Sequence, residues 1–559
     1  LKVMRLSILL AVLSTAIAVH SQYQQSQIEF WNALGNEHLQ QKLRWKSPSD
    51  KGPKNVIFFL GDGMGLSMVT SGRVITAEKT GRDYRNEKWA FEKFDFSGIL
   101  KTSSYDYHTT DSAAGAMALF TGHKVEQNTL GRLPGFGEKC DKGDVSHIND
   151  GIAELAIARG LDVGVVSTTR LTDATPAANF AKGVHRLMEH DSSTEIKNTS
   201  CTDIAQQILR HPADKFKVLM GGGHAFFTPT EEGGLRTDGR NIEKEWQALP
   251  GHRTLLRTLD DIHAHSVNND DQVLGVFHDK SFNYHLDELV NKTSQPRLVD
   301  MSIKALEVLQ KSNNENGFYL MIEGGHIDLA EHENKMNLAT EELAEFSHTI
   351  ETIRGMVGED TLIVVTADHG HALTLPGYVH KHNSILAAEV ETDGMDADGL
   401  PIPNVLFAAG TSKTDRTNMT DYDQKQAHFQ SVAAFPAKWG AHGGEDLGIW
   451  TQGPYSWLFS GSMENTQVAY LIKFLLCLDH KEPTLCGMRK EEGGGNYASG
   501  PVSAALQNDT VSVGPSGALI TVLAIIAVAA SIATVVLSFL LLRTKRPNKV
   551  ESVEMNGRA

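Results

Sequence analysis

The sequence predicts an α/β fold: a doubly wound, mostly parallel central sheet with helices on both faces, plus an irregular surface insertion. Three observations carry that reading. Apolar runs of strand length recur along the chain, helical patterns alternate with them, and polar residues able to bind ions stand directly after several of the runs. Runs that are apolar at every position suit strands covered on both faces, as in parallel sheets. Their alternation with helices is the pattern of a layered α/β domain.

The strand-like runs are NVIFFL (55–60), DVGVVST (162–168), KVLMGG (217–222), FYLMI (318–322) and TLIVVTA (361–367). Between them lie the helical stretches HINDGIAELAIARG, RLVDMSIKALEVLQKS and LATEELAEFSHTIETIRGMV. From about 376 to 435 the pattern dissolves into Gly, Asp, Pro and Asn, which reads as a surface insertion.

The flanks carry targeting signals. Residues 1–21, with Arg5 before an apolar stretch and small residues after it, read as a secretory signal peptide. Residues 22–488 form the expected catalytic body and 489–516 a stalk. Segment 517–542 has no charge and would span roughly 39 Å as a helix. A basic tail follows, 543–559. The apolar segment is either a single transmembrane span or a glycolipid-anchor signal. Both put the body on the extracellular side of the plasma membrane, at the cell surface. The four cysteines, Cys140, Cys201, Cys477 and Cys486, imply two disulfides in a secreted chain, with three connectivities open. Sequons at Asn198, Asn291, Asn418 and Asn508 agree with an extracellular body. A net charge of −16 over 559 residues disfavours nucleic acid as a partner.

Ligands of open parallel sheets gather at the carboxyl ends of strands. NVIFFLGDGMG delivers Asp62 there, and TLIVVTADHGH delivers Asp368, His369 and His371. FYLMIEGGHIDLAEH delivers Glu323, Asp328 and His332; VSTTRLTDATP delivers Asp173 and Thr175; WGAHGGED adds His442. Singly these are weak signals: a strand-end Asp is more often a cap, and Asp328 with His332 at i, i+4 also suits a solvated helix face. Together, imidazole and carboxylate without thiolate suit zinc, and carboxylate with hydroxyl suits magnesium. TTDSAAGAMALFTG places Ser112 where a helix begins, a setting that favours anions, although Asp111 or Ser112 as a plain N-cap fits equally.

The ordered set FLGDGMG, DSAAGA, TTRLTDATPAA, MGGGH, EGGHID, TADHGH and HGGED resembles the animal alkaline phosphatases, from EFWNALG (29–35) to about Cys486. The resemblance implies two zinc ions and one magnesium. Asp328, His332 and His442 would hold one zinc; Asp62, Ser112, Asp368 and His369 the second; Asp62, Thr175 and Glu323 the magnesium. It implies a phosphoserine intermediate at Ser112, Arg186 as the phosphate-gripping residue with Asp111 orienting it, and His371 supporting the first zinc. It also implies disulfides Cys140–Cys201 and Cys477–Cys486, broad small phosphomonoester substrates, an alkaline optimum, and a homodimer embraced by an N-terminal arm. Four positions depart from the family pattern: Thr109, Met117, Asp173 (His in vertebrate members) and Leu329. The vertebrate calcium site is not carried over, because His278 replaces its acid. The alternatives are a related bimetal phosphodiesterase or sulfatase, and a catalytically weak surface receptor keeping the fold.

Overall fold

The computed structural model describes residues 29–33, 35, 36, 39, 52–84, 87–135, 147–197, 199–312, 314–378, 380, 383–389, 398–412, 416 and 426–478. The expected signal peptide, stalk, apolar segment and basic tail lie outside the described residues, as do Cys140, Cys486 and three of the four sequons. Among the described residues no helix is long and apolar enough to cross a membrane. Cys201 and Cys477 are both disulfide-bonded.

Ten strands form the central sheet. They are β1 (Asn55–Gly61), β2 (Phe96–Lys101), β3 (Asp162–Arg170), β4 (Val218–Gly222), β5 (His252–Leu256), β6 (Asp271–Val276), β7 (Phe318–Gly324), β8 (Thr361–Thr366), β9 (Leu447–Gln452) and β10 (Gly461–Glu464). Their order across the sheet is β10-β2-β9-β8-β1-β7-β3-β4-β6-β5. Every neighbouring pair is parallel except the two that involve β9. All five apolar runs singled out in the sequence are strands of this sheet.

The reason is burial on both faces. Val56 to Leu60 are fully buried, as are Leu320 to Ile322 and Leu362, Val364 and Val365 but for traces. Each such side chain stabilises the fold by about 1.5–3 kcal/mol relative to exposure. Helices cover the sheet: α1 (Leu66–Thr80), α2 (Ser112–Thr121), α3 (Ala174–Ala177), α4 (Leu298–Lys311), α5 (His326–His332), α6 (Met336–Arg354) and α7 (Asn465–Leu475). Phe58 meets Phe120 of α2 edge-on at 5.4 Å, and Phe59 meets Phe346 of α6 at 6.0 Å. Because the side chains of Phe58 and Phe59 leave opposite faces of β1, one strand anchors a helix on each side.

The segment expected as an insertion builds a small sheet of its own. Leu406–Gly410 pairs antiparallel with Leu373–Thr374 and parallel with Ala433–Pro436. Leu373–Thr374 lies just beyond the Asp368-His369 turn, so this sheet begins at the functional rim.

Candidate active site

Four adjacent strands deliver the predicted residues. β8, β1, β7 and β3 lie side by side and in register: Leu60 pairs with Thr366 and with Glu323, and Glu323 pairs with Ser167. Their carboxyl ends therefore share one rim. Asp62 follows β1, Glu323 ends β7, Asp368 and His369 follow β8, and Asp173 and Thr175 follow β3.

Helix α2 supplies the nucleophile candidate. Its ten residues are all buried. Asp111 is its N-cap, accepting from the backbone N–H groups of Ala113 at 3.1 Å and Ala114 at 3.2 Å. Ser112 is the first helical residue, so capping and chemistry occupy adjacent positions and do not compete. Gly115 allows the close approach: a Cβ there would stand 2.9 Å from the backbone oxygen of Asp368. The small-residue run thus lets the first turn of α2 lie against the end of β8. Met117, one of the departures, is buried, and its Sδ accepts from Gly131 N–H at 3.3 Å.

Two clusters of donors sit at the rim. In one, Asp328 and His332 of α5 meet His371 and His442. His371 Nε2 is 2.6 Å from Asp328 Oδ1; His332 Nε2 is 3.3 Å from Asp328 Oδ2; His442 Nε2 is 3.5 Å from Asp328 Oδ1. His332 Nδ1 donates to the Gly440 carbonyl at 2.6 Å, and His442 Nδ1 to the Thr110 carbonyl at 2.9 Å. A carbonyl can only accept, so both Nδ1 atoms carry a proton, and Nε2 of the neutral His442 carries a lone pair. Those two Nε2 atoms are 3.1 Å apart. Two lone pairs so close would repel, so the gap suits a proton on His332 Nε2 or a cation between the rings.

In the other cluster, His369 Nε2 stands 3.1 Å from Ser112 Oγ, 3.3 Å from Asp62 Oδ1 and 3.5 Å from Asp368 Oδ2. Asp368 Oδ1 accepts from the N–H groups of Gly63 and His369. Asp62 Oδ1 and Asp368 Oδ2 are buried without a hydrogen-bond partner, a costly state for a carboxylate. Glu323 accepts from the Ser167 hydroxyl and, at 3.2 Å, from the Thr169 hydroxyl. The buried Thr175 hydroxyl faces Glu323 without completing a hydrogen bond.

The electrostatics follow. Burial, then Asp368, Asp328 and Glu323, push the Asp62 carboxyl well above the usual range. Burial and Asp328 do the same to Asp368. Burial raises Glu323 to about 7, with the Ser167 hydrogen bond opposing it. Burial also works against the charge on Asp328, but His332 and His371 outweigh it and hold that carboxyl well below the usual range. Burial, then His442, keeps His369 far down, and burial brings His442 to about 4. His369 and His442 therefore stay neutral, as metal ligands must. Burial works against a charge on His332 too, but Asp328 outweighs it and raises that imidazole above its ordinary value.

Arg186 is held from two sides. Its guanidinium donates to Asp111 Oδ2 at 3.1 Å and to Asp173 Oδ1 at 3.2 Å. Asp173 also pairs with Arg170 at 2.8 Å, and Arg170 in turn with Glu189. Asp173, whose family role the sequence left open, is thus an arginine clamp here. The residues that sequence reasoning missed are Arg170, Ser167 and Thr169, and the carbonyls of Thr110 and Gly440. Only Arg170 left a signal, standing three positions before Asp173 in TTRLTD.

Every residue proposed from the sequence as a ligand or catalytic group lies on this rim. The fold and the site define a metal-binding hydrolase working at the carboxyl edge of a parallel sheet. A family model for alkaline phosphatase matches residues 53–478. The membrane-bound alkaline phosphatase of Bombyx mori is 32% identical over 480 residues, covering 81% of this chain and 86% of that one. The human tissue-nonspecific isozyme is 30% identical over 517 residues, covering 87% and 95%. The chain belongs to the alkaline phosphatase family and is a phosphoric monoester hydrolase. Two solved bacterial alkaline phosphatases share the fold. That of the Antarctic bacterium TAB5 has TM-score 0.53 at 23% identity, covering 77% of this chain and 100% of its own. That of Thermus thermophilus has TM-score 0.57 at 21% identity, covering 79% and 96%.

Proposed function

We propose that this chain hydrolyses phosphate monoesters through a phosphoserine on Ser112, at a site for two zinc ions and one magnesium. The observation that carries the reading is the setting of Ser112 Oγ: buried, at a helix N-terminus, 3.1 Å from an imidazole nitrogen flanked by two partnerless carboxylate oxygens. Asp328, His332 and His442 would hold the first zinc. Asp62, Asp368, His369 and Ser112 would hold the second, and Asp62, Thr175 and Glu323 the magnesium. When bound, the ions neutralise phosphoryl charge and favour the serine alkoxide.

Ser112 Oγ attacks phosphorus; an Oγ–P bond forms as the ester P–O bond breaks, and the alcohol departs with a proton. Water then attacks phosphorus, the Oγ–P bond breaks, and inorganic phosphate leaves while Ser112 regains its proton. Arg186, fixed by Asp111 and Asp173, grips two nonbridging oxygens with its remaining N–H donors. The partial positive charge at the start of α2 adds to that field. His371 positions Asp328 through the 2.6 Å contact.

The test is monoester hydrolysis after chelation. Zinc with magnesium should restore it, with diesters turned over far more slowly; failure of zinc to restore monoester turnover would end the reading. The same proposal covers the cell-surface body, tethered by segment 517–542, the homodimer and its arm at 29–43, and the pairs Cys140–Cys201 and Cys477–Cys486. A relative is itself named membrane-bound. Release by phosphoinositide-specific phospholipase, sedimentation, and non-reducing peptide mapping test these in turn.

A further inference from the structure

The sheet has a second, unrelated meeting of imidazoles and carboxylates, on the rim opposite the active site. Strands β5 and β6 are parallel, and their first residues, His252 and Asp271, are register partners. Paired positions in a parallel ladder put their side chains on the same face. His252 Nδ1 hydrogen-bonds Asp271 Oδ1. Asp270 precedes it, and donor atoms of His252, Asp270 and Asp271 all lie within 4.8 Å of one another.

A second observation points at the same spot. His265, in the loop before β6, has a side chain only 10% exposed, and its Nε2 stands 3.1 Å from Asp271 Oδ2. That nitrogen is buried and out of line for a hydrogen bond, and it finds no other partner. Asp271 is itself 1% exposed, with Oδ2 fixed by the backbone N–H of Asn268 at 2.8 Å. Among the described residues no Lys or Arg forms an ion pair with Asp270 or Asp271. The buried Asp271 carboxylate is therefore faced by the imidazoles of His252 and His265 and by the backbone and side-chain N–H groups of Asn268.

We infer that His252, Asp270 and Asp271, with His265 bracing Asp271 from behind, form a further zinc site on the edge of the sheet. Imidazole and carboxylate with no thiolate is a donor set for a borderline divalent ion of the zinc class. Half-exposed His252 and exposed Asp270 give the ion a path in from solvent. Because β5 is the edge strand and, among the described residues, pairs only with β6, a bound ion would act as a clip, fastening the edge strand and the loop at 265–270 to the sheet. The site owes nothing to the active-site reading: no residue is shared.

The experiment uses the full enzyme, equilibrated by dialysis against micromolar free zinc, with zinc counted per chain. His252→Gln and Asp270→Asn should each hold one zinc fewer than the wild type. Both positions are solvent-facing, so the fold should survive, and monoester turnover should be unchanged. In the wild type, zinc should slow hydrogen exchange of the Thr254–Leu256 amides, and His252→Gln should abolish that slowing. Equal zinc counts in wild type and both variants would overturn the site and leave a plain His–Asp hydrogen bond at the edge of the sheet. A lost ion with unaltered exchange would overturn the clip.

Discussion

The two donor clusters at the active rim are built on opposite electrostatic plans. Around Asp328, one carboxylate is surrounded by the imidazoles of His332, His371 and His442, and its pKa is driven well down. Around Ser112, two carboxylates, Asp62 and Asp368, share one imidazole, and both pKa values are driven well up: by burial and then Asp368 at Asp62, by burial and then Asp328 at Asp368. The first cluster is balanced by its own residues. The second is under-neutralised and buried, so it depends on cations from outside the chain. The difference fits the proposed role of the serine: a site short of positive charge draws in cations, and those cations would offset the charge of an incoming phosphoryl group.

The largest test separates the clusters by chemistry. Ser112→Ala touches only the second, because Ser112 Oγ contacts His369. Turnover should fall by about 10⁴-fold or more, as for removal of a nucleophile elsewhere. Rapid-quench trapping should find no phosphorylated protein. Substantial residual turnover would move the attacking group away from Ser112.

Stability separates them by sign. With metals chelated, Asp328→Asn removes the only anion among three imidazoles and should cost about 3 kcal/mol or more, as when one partner of a buried pair is deleted. Asp368→Asn relieves carboxylate crowding in the other cluster and should leave the chelated protein more stable above neutral pH. Denaturant melts of both variants measure this. Losses of equal size in the two would erase the contrast.

A third buried acid asks whether burial alone explains the raised values. Glu342 of α6 is pushed up to about 8 by burial, the His285 N–H opposing it and Glu345 adding to it. It accepts that N–H at 2.6 Å and is far from the serine in role. Its folded pKa exceeds its ordinary value of 4.5, so its contribution is fully present below pH 4.5 and is lost as pH rises through about 8. Glu342→Gln should therefore match the wild type at pH 4 and exceed it at pH 9 by about 5 kcal/mol. Identical stability profiles against pH would show that the site relaxes to hydrate the charge.

Much of this could be read from the chain, and the rest had physical reasons to stay hidden. β1, β3, β4, β7 and β8 announce themselves because both faces are covered. β2 and β5 are half-exposed and mix polar with apolar, while β10 has four residues, so none shows a clear period. β9, with Gly448 and Thr451 inside it, and β6, starting on Asp-Gln, were missed likewise. Side chains that bind ions show in a sequence by type and by position after a strand. The carbonyls of Thr110 and Gly440, which set the tautomers of His442 and His332, have no such mark; any residue could supply them. Nor do His252 and Asp271, 19 positions apart, form a motif until the register of β5 and β6 brings them face to face.

The smallest expected effect concerns the arginine hydrogen-bonded to the N-cap of the serine's helix. Arg186 is held by Asp111 and by Asp173, at 3.1 and 3.2 Å, and only Asp173 also carries Arg170. Burial works against the charge on Asp173, yet Arg170 and then Arg186 hold its carboxyl below the ordinary range, so it is ionised wherever the enzyme works. Asp173→Asn keeps the shape and removes that charge, while Asp111 keeps its hydrogen bond. The guanidinium should become less well oriented rather than lost. KM for a simple monoester should then rise by about tenfold, roughly 1.4 kcal/mol, with a smaller change in kcat. An unchanged KM would show that Asp111 alone sets the guanidinium. A collapse of kcat would instead put Asp173 in the company of Glu323, on whose carboxyl its charge already acts.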